Sequence, residues 1–166
     1  MKKFNIFLLF NIISVLVYGQ LTVQNGFTAQ QLGNTLAGSN LSVTNATISG
    51  STIQSGTFQF AGSGFPLSSG VVLSTGSIFD CPGPNTNGGT STDNGYPGNP
   101  LLDAIAGVAT YDAVQFKFDF TVQSSSIEFK YIFASEEYNE YVGSSYNDVF
   151  AFLFPVRVLQ VKKILH

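Results

Sequence analysis

The chain has 166 residues, enough for one domain with a core and not for two comfortable ones. Charged residues make up only 10%, Phe and Gly reach 16 and 17, and Trp is absent, a balance that fits an exported all-β domain rather than a helical cytosolic enzyme. Lys2 and Lys3 open the chain and Arg157, Lys162 and Lys163 end it, so only Lys117 and Lys130 stand between against all ten acids; so acidic a body argues against nucleic acid as a partner and is compatible with divalent cations.

Residues 1–19 read MKKFNIFLLFNIISVLVYG. Two lysines before an apolar run, with small Val17 and Gly19 at the cleavage positions, predict a secretory signal peptide. The alternative, an anchor helix, is weakened by Asn5 and Asn11 and by a length just short of the about 20 apolar residues a bilayer needs. No second span follows, so no transmembrane segment is expected after signal cleavage. Cys81 is the single cysteine, which rules out an internal disulfide. It reads as a structural or incidental thiol, with intermolecular pairing left open.

Thr28 to Gly38 predicts a short helix: Thr28 caps it, Leu32 and Leu36 share a face, and Gly38 ends it. Short Thr-rich strands are expected at Leu41–Thr44, Ala46–Ile48 and Thr57–Phe60, and another at Gly70–Gly76. Asn40-Leu41-Ser42 and Asn45-Ala46-Thr47 match the glycosylation sequon, a triplet frequent by chance in so Thr/Asn-rich a chain. Residues 80–100 are nearly all turn formers and predict a long surface loop. Asp80, Asn85, Asn87, Asp93, Asn94 and Asn99 offer oxygens there, without the spacing of an EF-hand. Asn99 and Pro100 fit the cap and first position of a helical turn reaching Ala106.

The most informative stretch is Ala113 to Phe154. Val114, Phe116, Phe118, Phe120 and Val122 alternate with polar residues, the period of a half-buried strand. After Ser124-Ser125-Ser126, Ile127, Phe129, Tyr131 and Phe133 alternate again, so the two runs predict an antiparallel hairpin with one wet face. Val149 to Phe154 is apolar throughout and predicts a strand buried between two layers. An acidic, aromatic loop from Ser135 to Asp148 is thus mounted between a hairpin and a strand.

That loop carries the candidate metal ligands Glu136, Glu137, Glu140, Asn147 and Asp148. Four carboxylates so close repel one another unless neutralised, and calcium takes oxygen-rich sets of this kind. The competing reading is a solvated acidic loop in which Asn147 and Asp148 cap turns. As an enzyme, the loop would need two carboxylates for glycoside hydrolysis. Glu137 with Asp148 is the pair to consider, since adjacent Glu136 and Glu137 on a strand face opposite ways. His166 is the only histidine, so Ser-His and Cys-His nucleophiles and a zinc site are not supported. Tyr96, Tyr138, Tyr141 and Tyr146 fall in expected loops, where they either stack on a sugar or partner or cover the ends of the sheets.

Several segments together resemble the choice-of-anchor L domain: Gly70-Val71-Val72-Leu73-Ser74-Thr75-Gly76, Thr110-Tyr111-Asp112-Ala113, Phe118-Asp119-Phe120, Phe133-Ala134-Ser135-Glu136-Glu137-Tyr138 and Gly143-Ser144-Ser145-Tyr146-Asn147-Asp148-Val149-Phe150. The resemblance runs from about Thr22 to Phe154. It implies an exported, surface-associated protein, with adhesion or matrix roles, and no known enzyme activity. The family continues after the last of these segments with a Ser-Gly-Pro-Gly type turn, whereas this chain reads PVRVLQVKKILH over 155–166. Read from the third base of the Pro155 codon, suitable synonymous codons give GPGVTGKKNIA, so a frameshift after Phe154 is expected, against the alternative of a natural basic tail. The shift would remove the last strands, leaving open sheet edges, and any anchoring domain.

The sequence therefore predicts a signal peptide over 1–19, an incomplete all-β domain over 20–154 and a basic tail over 155–166. The fold class is an antiparallel β-sandwich of jelly-roll type with one or two short helices. The expected function is a non-catalytic secreted or cell-surface module for adhesion or matrix interaction, with calcium as the candidate cofactor. The alternative is a carbohydrate-active domain, either a glycan binder or a weak glycoside hydrolase. The expected location is extracellular or at the cell surface, or periplasmic if the anchoring domain is missing.

Overall fold

The computed structural model describes residues 20–38, 40–84, 90–123, 126–135, 141 and 148–154. The predicted signal peptide and the basic tail lie outside the described residues. Two antiparallel sheets and two short helices form from the described part. One sheet holds β1 (Gln20–Gln24), β3 (Ser55–Ala61) and β4 (Ser69–Leu73), with β3 central. The other pairs β2 (Leu41–Ser49) with β5 (Gln115–Val122). The all-β class is as the sequence implies, and no barrel closes among these strands. The sandwich and jelly-roll order are not defined by five strands in sheets of three and two.

Helix α1 (Ala29–Leu36) forms where its cap is encoded. Thr28 stays extended, its hydroxyl accepts the Gln31 N–H at 3.2 Å, and Gln31 Oε1 accepts the Thr28 N–H at 2.8 Å, a complete capping box. The helix ends at Ala37 rather than Gly38: the Ala37 N–H donates to the Gly33 and Asn34 carbonyls at 3.1 and 3.3 Å. Of the two leucines expected on one face, Leu32 is 1% exposed, while Leu36, in the last turn, is exposed. α1 lies on β2 and also reaches β3 and β4, so one short helix ties the two sheets together. Gly33 permits this approach, since a Cβ there would meet Val43 Cγ1 at 2.5 Å. Leu32, Val43 and Ile78 are the fully buried apolar side chains among the described residues. Ile78 comes from a single 3-10 turn, Ile78–Asp80, capped by the Ser77 hydroxyl.

The two short strands expected at 41–48 are one strand with a bulge. Thr44 pairs with Asp119 and Thr47 with Lys117, so Asn45 and Ala46 together face one residue of β5. Asn45 takes φ 52, a left-handed conformation that Asn tolerates, and its Nδ2 donates to Asp119 Oδ2 at 2.8 Å. The alternation of β5 holds as written. Phe116, Phe118 and Phe120 form a row with ring centroids 5.0 and 6.2 Å apart, and Lys117 and Asp119 are exposed.

The second arm of the expected hairpin differs. Neither 127–133 nor 149–154 belongs to a sheet among the described residues, and Val149 to Phe154 is half-exposed or exposed instead of buried. Ring packing joins the two runs: Phe129 with Phe152 and Phe154, Tyr131 with Phe150 and Phe152, and Phe133 with Phe150, at 5.4–6.2 Å. Phe120 meets Phe129 and Phe154, each at 6.4 Å, which continues the row from β5. Side-chain chemistry has laid these runs antiparallel, but no second layer in the described chain covers them.

The buried hub is polar. Gln54 is 0% exposed. Its Oε1 accepts the Ser51 N–H at 2.6 Å, its Nε2 donates to the Thr75 and Asp112 carbonyls at 2.8 Å each, and its own carbonyl accepts the Ser74 N–H at 2.9 Å. We expect Gln54→Leu, similar in size, to strand these groups and lower stability by about 3 kcal/mol or more. A urea midpoint equal to that of the parent chain would contradict this. Thr28→Ala, which removes only a surface cap, is expected to cost about 1 kcal/mol in the same titration.

Candidate functional site

The turn-rich segment between Ser77 and Tyr111 is built by short side chains that bind backbone. Asn94 is its pivot: Nδ2 donates to the Thr75 and Gly76 carbonyls at 3.0 and 3.1 Å, and its N–H donates to Asp112 Oδ2 at 3.0 Å. Asp112 Oδ1 accepts the Tyr96 N–H at 2.6 Å. The Asp112 N–H donates to the Tyr96 carbonyl at 2.9 Å, and the Ala113 N–H to the Pro97 carbonyl at 3.2 Å. Residues 96–97 and 111–113 thus form a miniature antiparallel pair with a bridge at Pro97 and Tyr111. Asp112 adopts φ 51 to do this.

Helix α2 (Pro100–Ala106) braces the far side, as the Asn99-Pro100 pattern predicts. Asn99 Oδ1 accepts the Leu101 N–H at 2.9 Å, and Gly107 closes the helix at φ 76. Asp103 Oδ1 accepts both the N–H and the hydroxyl of Thr110 at 2.7 Å, and the Thr110 hydroxyl accepts the Asn99 N–H at 3.0 Å. Gly98 lies so close to the Thr110 carbonyl that no Cβ fits between them.

This frame supports an open depression of about 580 Å³ lined by Asp93, Gly95, Tyr96, Pro97, Tyr111 and Asp112. Its volume is in the range of small-molecule sites, about 300–1,000 Å³. Tyr96 is 44% and Tyr111 76% exposed. Neither ring packs on another aromatic ring among the described residues, in contrast to the Phe row of β5.

Of the loop residues singled out from sequence, four fall in the described chain, and the side chain of each makes a hydrogen bond within the fold. Asp80 Oδ2 accepts from the Thr92 hydroxyl at 2.9 Å, Asp93 Oδ1 accepts the Gly95 N–H at 2.8 Å, Asn94 holds Thr75, and Asn99 caps α2. Asn85 and Asn87 lie outside the described residues. Of the candidate calcium ligands, Glu136, Glu137, Glu140 and Asn147 also lie outside them. Asp148 is described and exposed, with Oδ2 accepting from the Ser135 hydroxyl at 3.4 Å. The roots of the acidic loop, Ser135 and Asp148, are therefore adjacent, as the ring packing of Phe133 on Phe150 requires. Among the described residues no three His, Cys, Asp or Glu side chains gather in a metal-holding group.

Among the tyrosines named from sequence, Tyr96 lines the depression, Tyr141 is half-exposed, and Tyr138 and Tyr146 lie outside the described residues. Tyr111 is the residue that sequence reasoning passed over. Only its place beside Asp112 at the mouth of the alternating strand hinted at a role, and the left-handed Asp112 that turns it outward has no sequence signature.

The family model of the choice-of-anchor L domain matches residues 21–162. The chain belongs to the choice-of-anchor L domain family. No curated protein and no solved structure is detectably similar to it. A choice-of-anchor domain indicates an exported or surface-associated module, and the family is not a known enzyme family. No helix among the described residues is long and apolar enough to cross a membrane.

If Asp112 positions the 94–96 backbone, Asp112→Ala should expose the Asn94 and Tyr96 amides. We expect their hydrogen exchange to quicken by about tenfold, the loss of roughly one charge-assisted bond each, while the β2 and β5 amides keep their rates. Unchanged exchange at both amides would contradict the clamp.

Proposed function

We propose that this chain is a non-catalytic module of a secreted or cell-surface protein, acting in adhesion or matrix interaction. Membership of the choice-of-anchor L family is the observation that carries the reading. Asp80, Asp93, Asp103, Asp112, Asp119 and Asp148 each accept a hydrogen bond from another group of the fold, and so help to hold the loops in place. The carbohydrate-active alternative keeps one favourable observation, the exposed tyrosine pair, and that pair favours the binder over the hydrolase. The location proposed for the intact protein is outside the cytoplasmic membrane, reached through the predicted signal peptide of residues 1–19. Extracellular protease added to intact producing cells is expected to degrade the module, and full protection until the cells are lysed would overturn the surface assignment.

Within the same reading we propose that Glu136, Glu137, Glu140, Asn147 and Asp148 bind calcium and fix the acidic loop. The adjacency of Ser135 and Asp148 supports a loop closed at its base, where a cation would offset the carboxylate repulsion. Calcium at a hundredfold excess over its dissociation constant would add about 2.7 kcal/mol. We expect millimolar calcium to raise the melting temperature by several degrees, chelator to reverse the rise, and Glu137→Gln to reduce it. A melting temperature indifferent to both calcium and chelator would remove the site.

A further inference from the structure

We propose that the Tyr96–Tyr111 depression is a binding site for a neutral glycan, with the tyrosine rings as platforms for pyranose C–H faces and Asp93 and Asp112 as acceptors for sugar hydroxyls. This rests on the non-catalytic surface reading and gives it a ligand class.

Three features of the depression converge. Its aromatic side chains are presented to solvent without a ring partner among the described residues, whereas Phe58 and Phe60 of β3 pack on Phe65 and the phenylalanines of β5 pack on one another. A tyrosine joins an apolar face to a polar tip, which suits a ligand that is itself apolar on its ring faces and polar at its rim. The backbone that carries the two rings is also held in place before any ligand arrives. Asp112 accepts the Asn94 and Tyr96 N–H groups, Pro97 bridges Tyr111, and Thr110 is locked by Asp103. Such preorganisation lowers the entropic cost of binding.

The polar lining sets the ligand chemistry. Asp93 and Asp112 are acceptors only when ionised. Asp93 is exposed, and its Oδ2 has no partner among the described residues, its Oδ1 alone being taken up by Gly95. Hydroxyl groups, which donate, complement this lining. A polyproline segment offers only carbonyl acceptors, for which the two tyrosine hydroxyls are the side-chain donors among the described lining residues. Uronic or sulfated sugars bring negative charge to two carboxylates, and no cation among the described residues lines the depression to offset it. The site therefore selects hydroxyl-rich, uncharged sugars.

The test uses the full chain on an array of neutral, uronic and sulfated oligosaccharides, with a proline-rich decapeptide as a further probe. Retention of neutral oligosaccharides alone is expected. Tyr111→Ala and Tyr96→Ala should each weaken retention by about tenfold, with the far-ultraviolet circular dichroism unchanged, because both side chains are exposed. Tyr111→Phe should retain most of the binding, since it keeps the ring face. Asp93→Asn should relax the exclusion of uronic sugars. No retention of any neutral sugar by the parent chain, retention insensitive to both alanine variants, or capture of the decapeptide instead would overturn the proposal. Cleavage of a bound sugar would leave the site in place and overturn the non-catalytic reading, so the two failures are distinguishable.

Discussion

The structure depends on one buried amide. Gln54 has no exposed surface, yet every polar atom of its side chain is bonded to backbone from three different segments: the turn after β2, the chain leaving β4 and the segment leading into β5. An unpaired amide at that depth would cost several kcal/mol in a domain whose total stability is about 5–15 kcal/mol. Full pairing turns that penalty into a constraint, because moving any one of the three segments away leaves part of the buried amide unpaired. The hub also spans both sheets, one through β4 and the other through β5. With few fully buried apolar side chains in the described part, Leu32, Val43 and Ile78, much of its definition is polar.

From that hub the candidate site follows by short steps. The Thr75 carbonyl accepts from both Gln54 and Asn94. Asn94 and Tyr96 donate their amides to Asp112, whose carbonyl accepts from Gln54 in turn. A ring of hydrogen bonds therefore runs from the buried core to the backbone that carries Tyr96 and Tyr111. Exposed aromatics on a loop would normally lose their positional order. Here they inherit order from a buried group, which is how a loop can serve as a recognition surface on a rigid scaffold.

Local rules were legible in the sequence, and cooperative ones were not. Thr28 with Gln31, Asn99 with Pro100 and the Phe alternation of β5 are encoded within a few residues, and each forms as read. The bulge at Asn45 made one strand look like two, because a left-handed residue interrupts the period without ending the ladder. β1 follows directly on the apolar leader, which obscures so short an alternation. The runs 127–133 and 149–154 have strand patterns yet belong to no sheet among the described residues and pack ring on ring, since a pattern specifies a face and not the neighbour that covers it. Gln54 and Tyr111 could not be singled out from sequence. Their roles arise from partners 21 and 58 residues from Gln54 and from the φ of Asp112.

The central claim is that this choice-of-anchor L chain engages its surroundings without transforming them. The most direct measurement is mass spectrometry of neutral oligosaccharides after prolonged incubation with the full chain, with calcium present and absent. Oligosaccharides of unchanged length under both conditions are the result expected of a non-catalytic binding module. Shortened products that disappear in the Glu137→Gln variant would contradict it and make the acidic loop a hydrolytic centre.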